Sequence, residues 1–287
     1  MTVNLTVCAL TDVGLQRKTN EDAFVIADLT GDSLVETAPI TRFEIGERGV
    51  LLAVSDGMGG HRAGEVASAL VVESLRRSMA SAPAGSRSDA LIERAVERAN
   101  RETWEAAQSP GREGMGATVT ALFIDGATAH IAGVGDSRAY ILRGGNLVQV
   151  THDQSYVQLL LDTGAITPED AKSAPFRNVI LQSMGQKPNV QVALGRLELR
   201  QRDCFLICSD GLTNKVSAEE IQTTILTAPR LDVACSKLIE LANARGGEDN
   251  ITVILGGVSG DLPASVPGEQ ISDTLQVLKE YSAPLSH

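Results

Sequence analysis

The chain has 287 residues, of which 43% are apolar, 21% charged and only 3% aromatic, and its net charge is −11. This composition is typical of a folded globular protein and excludes a disordered or fibrous chain. The negative charge, together with the lack of any basic run, argues against nucleic-acid binding. No apolar stretch in the sequence approaches the ~20 residues that span a bilayer. With no signal-peptide pattern and no C-x-x-C pair among the four cysteines, we expect a cytoplasmic protein with reduced thiols.

The first half of the chain combines short strands with two helices. Alternating or apolar runs predict strands at 3–13, 23–27 and 50–54. The polar segment 28–48 is predicted to form a hairpin with an elaborated tip. From Ala63 onward apolar residues recur at helical spacing, and a second helical pattern spans about 88–108.

The second half repeats this order. Strands are predicted at 118–124, 129–134, 138–142 and 147–150, joined by Asp-Gly and Gly-Gly-Asn turns into a meander. A helix at 153–163 precedes an irregular excursion at 164–189. Further strands are predicted at 190–196, 203–208 and 251–255, and helices at 217–226 and 231–244. Residues 259–287 read as a tail or linker with a short helix at 270–281.

Helices arrive in pairs rather than between every two strands, and hairpin connections dominate. This order favours an α+β layered sandwich with largely antiparallel sheets over a doubly wound parallel sheet.

Two apolar runs, about 150 residues apart, end in the same tripeptide. Residues 51–54 lead into Ser55-Asp56-Gly57, and residues 205–208 lead into Ser209-Asp210-Gly211. A buried strand ending in a carboxylate brings negative charge to the rim of a core, where charge is normally paired or bound to a metal. If both ends meet in space, they form a site for a hard divalent cation.

Three more acidic clusters border predicted strands: Asn20-Glu21-Asp22, Gly135-Asp136-Ser137 and Glu248-Asp249-Asn250. Each alone is an ordinary turn former, but all of them together indicate a Mg²⁺ or Mn²⁺ site built from carboxylate and carbonyl oxygens. Arg17 lies three residues before Asn20, where a guanidinium could bind a phosphate oxygen or simply lie exposed in a loop.

These motifs, in this order, resemble the metal-dependent serine/threonine protein phosphatases of type 2C, the PPM family. The similarity covers about residues 5–258 and rests on Arg17–Asp22, Asp56–His61, Gly135–Arg138, Ser209–Leu212 and Gly247–Val253. Met58, followed by Gly59-Gly60-His61, is similar to the bacterial branch.

The resemblance implies a four-layer αββα sandwich, with two mainly antiparallel sheets flanked by helix pairs and residues 1–258 as the catalytic domain. It implies two Mn²⁺ or Mg²⁺ ions, and a third in bacterial relatives. Asp56 would bridge the two ions, Asp210 and Asp249 would hold the first, and Glu21 and the Gly57 carbonyl would approach the second. Asp22 would orient the metal-bound water. Asp136 would help Asp210 to hold the third metal ion. Arg17 would bind the substrate phosphate, and residues 164–189 would form a flap beside the active site.

By the same resemblance, the chain would hydrolyse phosphoserine and phosphothreonine in proteins through a hydroxide that bridges the two metals, without a covalent intermediate. Its substrates would be those of a Ser/Thr kinase, and we expect a monomer. Met58 stands where animal members carry a proton-donating His, so water or His61 would supply the proton. The alternative is a catalytically silent binding module, which should have lost acidic residues of the site.

Overall fold

The strands form two antiparallel sheets. The structure is a computed structural model, and it describes residues 2–35, 40–59, 63–83, 87–172, 174–176 and 178–283. One sheet has six strands, in the spatial order Asn146–Gln149 (β10), Arg138–Arg143 (β9), Cys204–Cys208 (β12), Ile251–Gly260 (β13), Val3–Asp12 (β1) and Thr41–Glu44 (β4). The path of the larger sheet runs through Leu275–Lys279 (β14), Ala193–Glu198 (β11), Thr128–Val134 (β8), Val119–Asp125 (β7), Val50–Met58 (β5), Asp22–Asp28 (β2) and Ser33–Leu34 (β3), and Gly116–Ala117 (β6) pairs with β5.

The helices are Ala63–Ala80 (α1), Ser88–Ala107 (α2), Tyr156–Asp162 (α3), Pro168–Lys172 (α4), Asp210–Thr213 (α5), Ala218–Thr227 (α6) and Leu231–Ala244 (α7), with a 3₁₀ turn at Ile271–Asp273. The predicted long helices at 88–108, 217–226 and 231–244 are therefore confirmed to within two residues. In the part of the chain that the structure describes, every helix is too short or too polar to cross a membrane.

Three hydrophobic cores separate four layers. One core lies between the larger sheet and the α1–α2 pair, one between the two sheets, and one between the six-stranded sheet and α6 with α7. Strand β5 contributes side chains to two of these cores, because successive side chains of a strand point to opposite faces of the sheet. Leu51 and Ala53 pack toward the helices, while Leu52 and Val54 pack between the sheets. The predicted α+β sandwich of two antiparallel sheets is confirmed.

The predicted meander at 118–150 is wrong at its centre. β7 pairs with β8 in one sheet, whereas β9 pairs with β10 in the other. The chain crosses between the sheets at Gly135, whose φ of +103° favours glycine. A Cβ there would also lie 2.7 Å from Thr118 Cγ2. This crossover places Asp136 between the sheets rather than in a surface turn.

The predicted hairpin at 28–48 is also divided between the sheets. β3 does pair with β2, but β4 crosses over and pairs with β1 of the six-stranded sheet, with Phe43 opposite Leu5. Packing of Phe43 against the core between the sheets accounts for this crossing. Residues 36–39 of the predicted tip lie outside the described residues.

The C-terminal segment is not the tail or linker that the sequence predicted. Leu262 and Ile271 are buried, and β14 pairs with β11 at the edge of the larger sheet, where a helix at 270–281 was expected. Buried Arg143 pairs with Asp203 at 2.6 Å and also donates to Thr274 Oγ1 at 2.6 Å. Apolar burial and this polar tie therefore hold the segment on the domain.

The excursion at 164–189 contains α4 and otherwise little regular structure. Its far end is fixed to the domain. Met184 forms a bridge with Ala117, and the Gly185 N–H donates to the buried Asn100 Oδ1 at 2.8 Å. Residues 173 and 177 of this segment lie outside the described residues.

Candidate metal centre

The two Ser-Asp-Gly tripeptides occupy equivalent places, one in each sheet. Asp56 lies near the end of β5, and Asp210 is the first residue of α5, separated from β12 by Ser209 alone. Because the two sheets pack face to face, the repeated sequence places both carboxylates at the same end of the inter-sheet core. Each influences the pKa of neighbouring acids at that end.

The glycine of each tripeptide permits a close backbone approach that no other residue could. A Cβ on Gly57 would lie 2.1 Å from the Gly64 carbonyl oxygen and 2.6 Å from that of Glu21. A Cβ on Gly211 would lie 2.0 Å from the Asn250 carbonyl oxygen. These two contacts draw the Glu21 and Asn250 segments toward the two aspartates.

The serine of each tripeptide supports the site from beneath. Ser55 Oγ donates to the Thr118 carbonyl at 2.6 Å, which fixes β5 against the neighbouring chain. Ser209 Oγ donates to Asp22 Oδ2 at 2.7 Å and accepts from the Thr252 N–H at 3.0 Å. Both serines are fully buried, so these bonds hold the acids in place.

Asn250 joins the remaining acidic segments. Its side chain accepts from the Glu21 N–H at 2.8 Å and donates to the Val13 and Thr19 carbonyls at 2.9 and 3.0 Å. It therefore ties the segment that carries Arg17, Glu21 and Asp22 to the segment that carries Asp249. Asn250 belongs to one of the acidic clusters that the sequence indicated, but its clamping role depends on the tertiary fold.

An open cleft of about 760 Å³ lies over these segments. Of the eight residues that the sequence singled out, seven line it: Arg17, Glu21, Asp56, Gly57, Asp136, Asp210 and Asp249. Asp22 is absent from the lining but lies close beneath, where it interacts with the charges of Asp210 and Asp249. The sequence therefore identified residues that do converge on one place.

Burial and mutual repulsion raise the pKa values of these acids. Loss of hydration raises the pKa of Asp22 to about 7, and the charges of Asp210 and Asp249 add to this effect. Burial and the charge of Asp210 raise the pKa of Asp136 to about 8. The pKa values of Asp56, Asp210 and Glu21 are also raised, with burial as the largest cause in each. Such crowding of acids calls for positive charge.

The donor set fits hard divalent cations. Asp22 Oδ1 and Asp210 Oδ1 are buried and lack a hydrogen-bond partner, which is costly for a carboxylate without a counter-charge. Among the described residues, no three His, Cys, Asp or Glu side chains are grouped as direct ligands of a single ion. Ions held here would therefore complete their shells with carbonyl and water oxygens, as Mg²⁺ commonly does.

Arg17 lies at the mouth of the cleft. Its Nη2 donates to Asp249 Oδ2 at 2.9 Å, and its Nε donates to the Glu248 carbonyl at 3.4 Å. About half of the Arg17 side chain remains exposed. A planar guanidinium in this position has donors that can reach a phosphate oxygen entering the cleft.

Met58 also lines the cleft, whereas His61, the alternative proton donor, lies outside the described residues. Sequence reasoning did not single out several other polar residues of the wall, among them Gln182, Gln191 and Tyr281. Nothing in their local sequence distinguishes them, because the fold brings them to the cleft from the flap region and the C-terminal segment.

Known proteins share both the sequence and the fold. The family described as protein phosphatase 2C matches residues 40–246, more than half of the chain. The serine/threonine protein phosphatase PstP of Mycobacterium tuberculosis is 39% identical over 259 residues, which cover 90% of this chain and 46% of the relative. This chain thus spans about half the length of that relative. A putative 2C-type phosphatase of Streptococcus pyogenes is 37% identical, with 85% of this chain and 94% of the relative covered.

Two solved structures extend the similarity to three dimensions. The crystal structure of Mycobacterium tuberculosis PstP has a TM-score of 0.76 at 37% identity and covers 90% of this chain and 100% of its own. A PstP catalytic domain in complex with two manganese ions has a TM-score of 0.74 at 36% identity, with the same coverage. With the converging acids, these matches show that the chain belongs to the protein phosphatase 2C family.

Proposed function

We propose that this chain is a Mn²⁺- or Mg²⁺-dependent phosphatase that hydrolyses phosphoserine and phosphothreonine in proteins. One observation carries the proposal: acidic residues from distant segments converge on one cleft, with two carboxylate oxygens, Asp22 Oδ1 and Asp210 Oδ1, left buried and unpaired. Membership of the protein phosphatase 2C family and the two manganese ions bound to the related PstP catalytic domain support it.

The roles of the acids are part of this proposal. Asp56, between the other acids, would contact both ions, and Asp210 and Asp249 would hold the first. Glu21 and the Gly57 carbonyl would face the second ion, and Asp136 with Asp210 would hold a third. Asp22, beneath the cleft and fixed by Ser209, would orient water. When bound, such ions lower the pKa of water toward ~7 and offset phosphoryl charge.

Arg17 would hold the substrate phosphate. To do so, it would exchange its hydrogen bond with Asp249 for bonds to phosphate oxygens, which would leave the Asp249 carboxylate available to a cation. The side chain needs no large movement, because its donors already face the cleft that Asp56 and Asp210 line. Holding the phosphate in line for attack by water is the main contribution of this residue to the reaction.

A direct test uses a phosphothreonine peptide. With Mn²⁺ the protein should release phosphate, and excess EDTA should stop the release. Asp210→Asn removes a charge without changing the shape of the side chain and should abolish turnover. Asp32→Asn, at an exposed position, is the matched control and should keep full activity. Equal turnover by the Asp210→Asn and Asp32→Asn variants would refute the proposal. A protein that binds two Mn²⁺ ions yet hydrolyses nothing would instead be a silent binding module.

The partners follow from the reaction. Phosphorylated Ser and Thr are products of Ser/Thr kinases, so we propose that such a kinase supplies the substrates. The four cysteines are free and buried, which supports a reducing compartment such as the cytoplasm. A monomeric state stays a prediction, which light scattering of the purified protein would check.

A further inference from the structure

A second cavity adjoins the catalytic cleft on the side of the C-terminal segment. This side groove has a volume of about 370 Å³ and is lined by residues of β8, β11 and β14, among them Gly133, Gly195 and Val277, and by Tyr281, which follows β14. This volume lies in the lower part of the range found for small-ligand pockets.

The side groove and the cleft share a wall at two places. Tyr281 lines both cavities. Along the crossover between the sheets, Gly135 and Ser137 line the side groove, while Asp136 between them lines the cleft. A protein chain whose phosphorylated residue enters the cleft would therefore cross Tyr281 to place a neighbouring residue in the side groove.

Tyr281 is fixed in this position by its neighbour. The Ser282 N–H donates to Gln191 Oε1 at 3.2 Å, and Gln191 Nε2 donates back to the Ser282 carbonyl at 3.3 Å. Gln191 is in turn held by Gln182, whose Oε1 accepts from the Gln191 N–H at 2.7 Å. Both glutamines line the cleft, so the C-terminal segment is built into its wall.

The floor of the side groove is apolar and open. Ile131, Leu194 and Leu275 contribute to it, and Val277 is 58% exposed. A Cβ on Gly195 would meet its nearest atoms at 3.7 Å, an ordinary van der Waals distance, so this position can take a larger side chain.

Of the residues that line the groove, His152, Asp162 and Lys279 each have an ion-pair partner. His152 Nε2 lies 2.7 Å from Asp162 Oδ2, and the Lys279 ammonium pairs with Glu93. An apolar occupant is therefore better matched to the side groove than a charged one.

We propose that the side groove binds an apolar side chain of the substrate protein next to its phosphorylated residue, and that Tyr281 is a specificity-determining contact between the two cavities. This inference rests on the proposed phosphatase function. It assigns sequence preference to the C-terminal segment, which lies outside the residues 40–246 that match the family.

The test compares three substrates with Mn²⁺ present: p-nitrophenyl phosphate, a phosphothreonine peptide with leucine at the flanking positions, and the same peptide with glycine there. We expect wild-type kcat/KM to be about tenfold higher for the leucine peptide, the usual discrimination of an apolar pocket. Tyr281→Ala removes the shared wall, and Gly195→Val fills the floor. Both variants should lose the preference, and Gly195→Val, whose position lies outside the cleft, should hydrolyse p-nitrophenyl phosphate as wild type does.

Val266→Ala is the control, since Val266 is 62% exposed and lines neither cavity; it should keep the preference. Equal kcat/KM for the two peptides in the wild type would overturn the inference, as would a preference that persists in both groove variants. Failure of the wild type to hydrolyse any of the three substrates would instead refute the proposed function.

Discussion

Asp22 and Asp56 lie directly opposite each other on neighbouring antiparallel strands, as Cα partners in the register of β2 and β5. Like charges at opposed positions destabilise a sheet, and here both acids are also close to Asp210. Such an arrangement is typical of a functional site, where activity is retained at a cost in stability. The metal centre is therefore a local source of instability in the metal-free protein.

Asp22→Asn should stabilise the metal-free protein and impair turnover. The neutral amide keeps an acceptor for Ser209 Oγ but removes the repulsion with Asp56. We expect the free energy of unfolding in EDTA to rise by about 1–2 kcal/mol, and turnover with Mn²⁺ to fall tenfold to a hundredfold. Urea unfolding and phosphate release measure the two effects. A metal-free variant that is less stable than wild type would contradict the inferred repulsion between Asp22 and Asp56.

The stability of the metal-free protein should fall as the pH rises from about 4 to 8. Asp22 and Asp136 have pKa values raised from 3.8 to about 7 and about 8, so in this window the folded state binds more protons than the unfolded state. Stability then decreases with increasing pH. Thermal unfolding in EDTA at pH 5.5 and 8.5 should show a lower Tm at pH 8.5, by roughly 2 °C per kcal/mol lost.

Asp22→Asn should flatten this pH dependence, because one of the two titrating groups is removed. A wild-type Tm that rises steadily from pH 5.5 to 8.5 in EDTA would mean that the acids are ionised and already compensated within the protein.

Gly57→Ala should destabilise the fold at the metal centre. The new methyl would lie 2.1 Å from the Gly64 carbonyl oxygen, so the backbone of α1 or β5 must shift, at a cost of about 3 kcal/mol. Gly257→Ala is the matched control, since its Cβ would meet nothing closer than the Asp203 carbonyl at 4.0 Å. Chemical denaturation compares the two, and equal stability would show that Gly57 is not under steric constraint.

Some elements of this molecule can be predicted from the sequence alone, and others cannot. The helices and the convergence of Asp56 with Asp210 follow from periodicity and from the repeated tripeptide. The crossing at Gly135 and the separation of β4 from the β2–β3 hairpin do not, because short strands carry no local signal for which sheet they join.

The C-terminal segment was misread for a related reason. Its residues from Pro263 to Pro267 read as a linker, while its attachment depends on long-range contacts of Arg143 and Ile271. Asn250 and Ser209 likewise act through tertiary hydrogen bonds that no spacing in the sequence encodes.

Asn100→Ala should loosen the end of the flap region. The buried Asn100 side chain accepts from the Gly185 N–H and donates to the Lys187 and Pro188 carbonyls at 3.0 and 3.1 Å. Its loss leaves these groups unpaired, at a cost of about 3 kcal/mol. Because Gln186 and Lys187 line the cleft, KM for a phosphopeptide should rise several-fold.

Gln108→Ala, at the exposed end of the same helix, is the control for this effect and should change neither stability nor KM. Steady-state kinetics measure KM, and urea unfolding measures the free energy of unfolding. An Asn100→Ala variant with wild-type KM would show that segment 185–188 holds its place without this side chain.

The most direct measurement of the central claim is a calorimetric Mn²⁺ titration of the metal-free protein at pH 8. The converging acids predict at least two Mn²⁺ ions per chain, and a loss of at least one of them when Asp56 is changed to Asn. Saturating Mn²⁺ should also stabilise the wild type by about 3 kcal/mol at a hundredfold excess over Kd. Binding of no Mn²⁺, or the same stoichiometry and affinity in the Asp56→Asn variant, would contradict the account.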